Sequence, residues 1–158
     1  LVDKLRAARP DIALSSDFIT GFPGESDADF AATMKLVRDI GFAQTFSFKY
    51  SRRPGTPAAA MEGQIAEDVK DARLQELQTL LRSQQTAFNQ SLIGQTIPVL
   101  FDDDGRHEGR IFGRSPFMQS TYVAAPAVAC ARLTGQELYV KITKARPNSL
   151  NGELVGIL

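Results

Sequence analysis

Residues 11 to 51 read as a strand, a tight turn, a helix and a second strand, and this order constrains the chain more than any other feature in it. The run DIALSSDFITG is apolar on both alternating faces, with Ile12, Leu14 and Phe18 on one and Ala13 and Ile19 on the other. A strand covered on both sides reads this way, as in parallel α/β sheets. Ser26 stands where a helix N-cap belongs, and Asp29, three residues on, is the weaker form of a capping-box partner. Phe30, Met34, Val37 and Ile40 recur at helical spacing, and Gly41 ends the helix. In FAQTFSFKYS, Phe42, Phe46, Phe48 and Tyr50 alternate onto one face of a second strand. A β–α–β order of this kind is a right-handed parallel unit, the building block of open α/β sheets and of (β/α) barrels. Two strands can neither close a barrel nor cover themselves, so this half is expected to be part of a larger fold.

The rest of the chain changes character twice. Residues 2 to 9 read as the end of a helix, stopped by Pro10. SRRPGTPAAAMEG, with two prolines and two glycines, is a loop at the C-terminal end of the second strand. A long helix follows over roughly 65–90, with Leu74, Leu77, Leu81 and Phe88 at three-four spacing and Gln84 interrupting them. At ~1.5 Å per residue it runs to roughly 40 Å, long enough to connect two bodies. After Gly94 come five short strand-like runs punctuated by DDDG, SP, TG and PNSLNG, the pattern of a small barrel or sandwich. The expected division is 1–63, 64–90 for the connecting helix, and 91–158.

Composition narrows the function. With 158 residues, 43% hydrophobic and 23% charged, a soluble globular protein of one ordinary or two small domains is expected. The formal net charge is zero, so no bulk cationic field advertises nucleic acid, although a local patch still can. No run approaches the ~20 apolar residues that span a bilayer. The first residues, LVDKLRAARPDIAL, lack the features of a signal peptide and read as though cut from something longer. A single cysteine, Cys130, and a single histidine, His107, exclude an internal disulfide and an all-Cys/His metal site, and fit a reducing cytoplasm.

Three stretches can carry chemistry. GFPGE lies at the carboxyl end of a strand and directly before a helix N-terminus, where ligands gather in parallel folds and free N–H groups favour anions. Gly21 and Gly24 would let a ligand approach the backbone, although a plain βα turn with Pro23 setting φ reads the same. SRRPGTP occupies the equivalent end of the next strand and offers Arg52 and Arg53 to phosphate or carboxylate, or merely to solvent. In the last third, Arg106, Glu108, Arg110, Phe112 and Arg114 share one side of a strand of period two. Three arginines and a ring make a surface for phosphates and stacking, or an ordinary solvated face. Lys141, Lys144 and Arg146 add charge from a later strand without all falling on one face. Gly109 or Gly113 could mark a bulge that flips the register. His107 reads as a surface or packed residue and Cys130 as a small buried hydrophobe, and Asp17, costly if buried unpaired, as either hydrogen-bonded for structural reasons or pointed into a barrel mouth.

SSDFITGFPGESDADFAATMKLVRDIGF and FSFKYSRRPGTPAAAM resemble the later part of the radical S-adenosylmethionine domain of methylthiotransferases. GRSPFMQSTYV and VKITKARPNSLNGEL are similar to the TRAM domain that closes those proteins. YSRRPGTPA and RPNSLNGEL favour the bacterial tRNA branch over the branch that modifies a ribosomal-protein aspartate. The resemblance implies an α/β fold: a partial (β/α) barrel of the radical type, a long connecting helix, and a small all-β barrel of OB-like kind. It implies an enzyme that methylthiolates carbon 2 of isopentenyl-adenosine beside the tRNA anticodon, with S-adenosylmethionine and two [4Fe-4S] clusters in the full-length protein. One cysteine cannot hold those clusters, so the chain is expected to be a C-terminal fragment, inactive alone, with no catalytic or metal-ligating residue of its own. By position, Ile19, Gly21, Phe22, Pro23, Gly24, Glu25 and Arg53 would line the cofactor pocket. Arg106, Arg110, Phe112, Arg114, Lys141 and Lys144 would meet the tRNA anticodon stem-loop. The rival expectations are the ribosomal-protein enzyme and a non-catalytic RNA-binding module. Cytoplasmic location, no membrane contact, and self-association through exposed sheet edges complete the reading.

Overall fold

The computed structural model describes residues 1–102, 109–125 and 132–156, so Arg106, His107, Glu108 and Cys130 lie outside the described residues. The chain divides into two compact units, Leu1–Gln84 and Gln85–Leu158.

The first unit holds α1 (Val2–Ala8), β1 (Ser15–Thr20), α2 (Asp27–Ile40), β2 (Gln44–Lys49), α3 (Pro57–Ala60) and most of α4 (Glu67–Ser91). β1 and β2 pair in parallel, from Ser15 opposite Gln44 to Thr20 opposite Lys49. Ser26 caps α2 reciprocally: its hydroxyl accepts from the Asp29 N–H, and the Asp29 carboxylate accepts from the Ser26 N–H at 2.9 Å and from its hydroxyl at 2.6 Å. The Ser26 hydroxyl, and then its N–H, hold the Asp29 carboxyl below its ordinary range. The helix ends at Gly41 in the left-handed region, φ 63°, where a side chain would be strained. Phe18, Phe30, Met34, Val37, Phe42, Leu77 and Leu81 form the core, with Phe18 edge-on to Phe42 at 5.4 Å. Gln84, the polar break in the apolar stripe of α4, has a local task. It accepts from the Phe42 N–H at 3.2 Å and donates to the Val37 carbonyl at 2.8 Å, satisfying backbone groups where α2 ends.

The strand faces differ from the sequence expectation. Phe18 and Thr20 are buried, but Asp17 and Ile19 on the opposite side are exposed, so β1 is covered on one side only. Phe46 and Phe48 are 59% and 56% exposed, whereas Phe42 and Tyr50, beyond the strand ends, are buried. The alternation therefore holds within β2 and fails at its flanks, although pairing with β1 continues there through the Ala43 N–H to the Leu14 carbonyl at 2.9 Å and the Tyr50 N–H to the Thr20 carbonyl at 2.8 Å. Asp17 bears no burial cost, since it faces solvent.

The second unit is a closed barrel of β3 (Thr96–Phe101), β4 (Arg110–Arg114), β5 (Ser120–Ala124), β6 (Glu137–Arg146) and β7 (Ser149–Gly156), in the spatial order β3-β4-β5-β7-β6. β5 and β7 run parallel and every other neighbouring pair is antiparallel. Period-two alternation sends Ile97, Val99, Phe101, Ile111, Val123, Leu138, Val140, Ile142 and Leu150 inward. Gly113 sits in an unbroken register with β5, Arg110 opposite Ala124 through Arg114 opposite Ser120, so it is not a bulge. Its missing side chain serves close approach instead, because a Cβ there would collide with the Leu100 carbonyl and the Val99 side chain. The register shifts fall between β6 and β7, at Tyr139/Val140 and Ile142/Lys144. Asn89, in the last turns of α4, is fully buried and donates to the Arg146 and Pro147 carbonyls at 2.9 Å each, fixing the β6–β7 turn.

Candidate functional site

The GFPGE turn is held by its own carboxylate and by one arginine. Gly21 and Gly24 adopt φ 72° and 85°. Glu25 bends back and accepts from the Gly21 N–H at 2.7 Å. Arg73 of α4 donates through Nη1 to the Glu25 carboxylate at 2.7 Å and to its carbonyl at 2.9 Å, and through Nη2 to Asp27 at 2.6 Å. Its guanidinium lies 5.6 Å from the Phe30 ring centre, and only 8% of the residue is exposed. Hydrogen bonding to Asp27, then burial opposing it, then bonding to Glu25, leave the Arg73 pKa raised. Glu25 is thus turned toward the protein, tying the turn to α4.

The two glycines have different surroundings. A Cβ on Gly21 would collide with the aliphatic stem of Lys70, which is itself buried. The Lys70 ammonium pairs with Glu67, reaches the Tyr50 carbonyl at 3.4 Å and lies 5.9 Å from the Tyr50 ring centre. Gly24 has no atom within 4 Å of where a Cβ would stand, and its N–H donates to the Gly63 carbonyl at 2.9 Å. Two apolar side chains of the same strand end and turn are exposed: Ile19 at 60%, and Phe22 at 44%, edge-on to Tyr50 at 5.3 Å. Pro23 is buried. In the next loop Arg52 is used internally, donating to the Ala59 carbonyl at 2.8 Å, while Arg53 is exposed. Thr20 Oγ1 and the Tyr50 hydroxyl, both buried at the strand tips, have no hydrogen-bond partner among the described residues.

Lys70 and Arg73 were not singled out from the sequence, yet a signal was present. With Leu77 and Leu81 they fall at three-four spacing along α4. Cations that continue an apolar stripe have to find partners in the interior.

On the barrel, Arg110, Phe112 and Arg114 share the outer face of β4. Strand order then brings them beside residues far away in sequence. Phe112 stands opposite Tyr122, Tyr122 opposite Asn151, and Asn151 opposite Lys144. The adjacent row runs Arg114, Ser120, Ser149, Arg146. The Phe112 and Tyr122 rings lie 5.3 Å apart, tilted at 49°. Arg110 lies 5.7 Å from the Tyr122 ring centre and Arg114 5.2 Å from that of Phe112, cation–π distances. Lys141 sits outside these rows, opposite Glu153. Tyr122, Ser120 and Asn151 were invisible as site residues in the sequence, because only the barrel order joins them to β4.

A domain model described as the TRAM domain matches residues 90–155. The chain is 58% identical over 156 residues, 99% of its length, to the tRNA-2-methylthio-N(6)-dimethylallyladenosine synthase of Maricaulis maris (strain MCS10). It is 53% identical over 153 residues, 97% of its length, to the protein of the same name from Sphingopyxis alaskensis (strain DSM 13593 / LMG 18877 / RB2256). It spans about a third of the length of these curated relatives, 33% and 34%. Over almost every residue, then, the chain is similar to one stretch of tRNA-2-methylthio-N(6)-dimethylallyladenosine synthases, and the residues that match the TRAM domain model are those of its five-stranded barrel.

Proposed function

We propose that the chain is the C-terminal part of a tRNA methylthiotransferase, acting on carbon 2 of isopentenyl-adenosine beside the anticodon, and that its barrel grips the tRNA anticodon stem-loop. The observation that carries this reading is the similarity to the two synthases over 97–99% of the chain. The barrel supplies a physical means, an outer face of arginines, lysine and two rings built from β4 to β7. In this reading residues 1–63 are part of a (β/α) barrel of the radical S-adenosylmethionine type, 64–90 a connecting helix and 91–158 the RNA-binding module. Such a protein would work in the cytoplasm, and no helix among the described residues is long and apolar enough to cross a membrane.

The residues at the strand tips fit the adenosine part of S-adenosylmethionine. Ile19 and Phe22 offer exposed apolar surface, and Gly24 leaves its backbone open. When bound, that cofactor would supply the methyl group and the radical. Gly21, Pro23 and Glu25 would shape the turn, and exposed Arg53 would meet the cofactor's carboxylate. The same chain does not fit the two [4Fe-4S] clusters, because one cysteine cannot provide their thiolates.

The test is fluorescence anisotropy of the chain with an anticodon stem-loop across a salt series. Affinity is expected to fall as salt rises, and the Arg110→Ala/Arg114→Ala double variant to lose about tenfold with a shallower salt slope. Unchanged affinity in that variant would remove the basic face from the reading. A wild-type chain with no affinity for the RNA would favour a protein substrate instead. Separately, the uncovered face of Ile19, Phe46 and Phe48 supports self-association of the isolated chain. Light scattering is expected to show species larger than a monomer, reduced by Phe46→Ser/Phe48→Ser; a monodisperse wild-type monomer contradicts this.

A further inference from the structure

We propose that Phe112 and Tyr122 form a stacking platform for unpaired nucleotides, so that the barrel face selects single-stranded RNA over duplex. The proposal rests on the RNA reading above and adds the class of RNA and the side chains that distinguish it.

Two half-buried rings from neighbouring strands stand side by side at the centre of the face. A cross-strand aromatic pair is ordinarily a device for sheet stability. The surroundings of this one point further. Arg110 and Arg114 sit over its two rings, and Lys144 and Arg146 close the far ends of the same two rows. None of these four cations enters an ion pair among the described residues. Glu153 of β7 lies in another row, opposite Lys141. Asn151 stands between Tyr122 and Lys144, and Ser120 and Ser149 between Arg114 and Arg146, short side chains able to hydrogen-bond base edges or ribose.

Charge alone would accept any polyanion, and duplex RNA most of all, since it presents the densest phosphates. Rings contribute only when a base face is free to lie on them, and bases within a helix are already stacked on each other. From Arg110 to Arg114 the strand rises roughly 13 Å, room for successive phosphates of an extended strand with bases turned toward the rings. The unbroken β4–β5 register fixes the backbone beneath the rings without a ligand, and Arg110 and Arg114, which lie over the ring faces, would swing aside onto phosphates as bases stack.

Anisotropy of the full chain with three probes tests this: a single-stranded RNA, a duplex of the same length, and an abasic strand with the same number of phosphates. The wild type is expected to prefer the single strand about tenfold over the other two. Tyr122→Leu is expected to lose that preference while keeping its affinity for duplex and abasic strand, and Tyr122→Phe to retain it, because stacking needs the ring and not the hydroxyl. Equal wild-type affinity for all three probes overturns the platform and leaves the electrostatic RNA reading standing. Binding to none of them overturns both. A Tyr122→Leu protein with an intact circular dichroism spectrum that still prefers the single strand overturns the platform, as does loss of the preference in Tyr122→Phe.

Discussion

Arg73→Ala is expected to lower the unfolding free energy of the first unit by about 3–4 kcal/mol, the lower part of the ~3–5 kcal/mol range for breaking a buried ion pair from one side. Arg73 and Glu25 expose 9% and 11% of their side chains, so neither is screened by water in the folded state. Removing the guanidinium takes away three short hydrogen bonds and leaves the Glu25 carboxylate with the Gly21 N–H as its remaining partner among the described residues. Most of the loss comes from the uncompensated carboxylate; the Asp27 contact is fully solvent-exposed on the acid side and adds little. Arg73→Lys is expected to recover only part, since a single ammonium cannot fork between Glu25 and Asp27. Glu25→Gln should cost less than Arg73→Ala, because the amide oxygen still accepts from Gly21. Urea denaturation followed by circular dichroism measures all three. An Arg73→Ala midpoint equal to wild type would show that the turn holds its shape without α4.

Phe101→Ala is expected to destabilise the barrel by about 3–5 kcal/mol, the usual cost of deleting a buried aromatic ring. Phe101 is completely buried and is the largest side chain in the barrel interior to be so. It stands opposite Gly113, whose lack of a side chain lets β3 and β4 approach closely. β3 is held against β6 at five paired positions, Thr96 through Leu100, which limits how far the backbone can close on the space the ring would leave. The backbone of Phe101 accepts from the Gly135 N–H at 2.7 Å and donates to the Gln136 carbonyl at 3.0 Å, and both bonds survive the substitution. The loss therefore reports the side chain. Phe101→Leu should cost clearly less, because it retains most of the apolar volume. Thermal unfolding of the second unit is the readout, and an alanine variant within 1 kcal/mol of wild type, judged against the ~3 kcal/mol lower bound, would place the ring outside the core.

Much of the local structure was legible in the residues. Ser26, Asp29 and Gly41 marked both ends of α2, because caps are made by groups within one helical turn of each other. Period-two alternation in RIFGR put Arg110, Phe112 and Arg114 on one face for an equally local reason. The faces of residues 42–50 were harder. Alternation extends only as far as the strand, and Phe42 and Tyr50 lie past its ends. The direction in which Glu25 points was also hidden, since its partner Arg73 is 48 residues away.

By itself the amino-acid order determined α2 and its caps, the long α4 and the alternating strands of the barrel, since each depends on neighbours a few positions apart; α3 falls inside a stretch that reads as loop. Only the tertiary structure decided that Glu25 faces α4 and that Phe112, Tyr122, Asn151 and Lys144 form one row. The closing order β3-β4-β5-β7-β6, with β5 parallel to β7, sets these neighbours. Pairing register between distant strands is fixed by how the whole barrel packs its interior, and no short window of sequence contains that information.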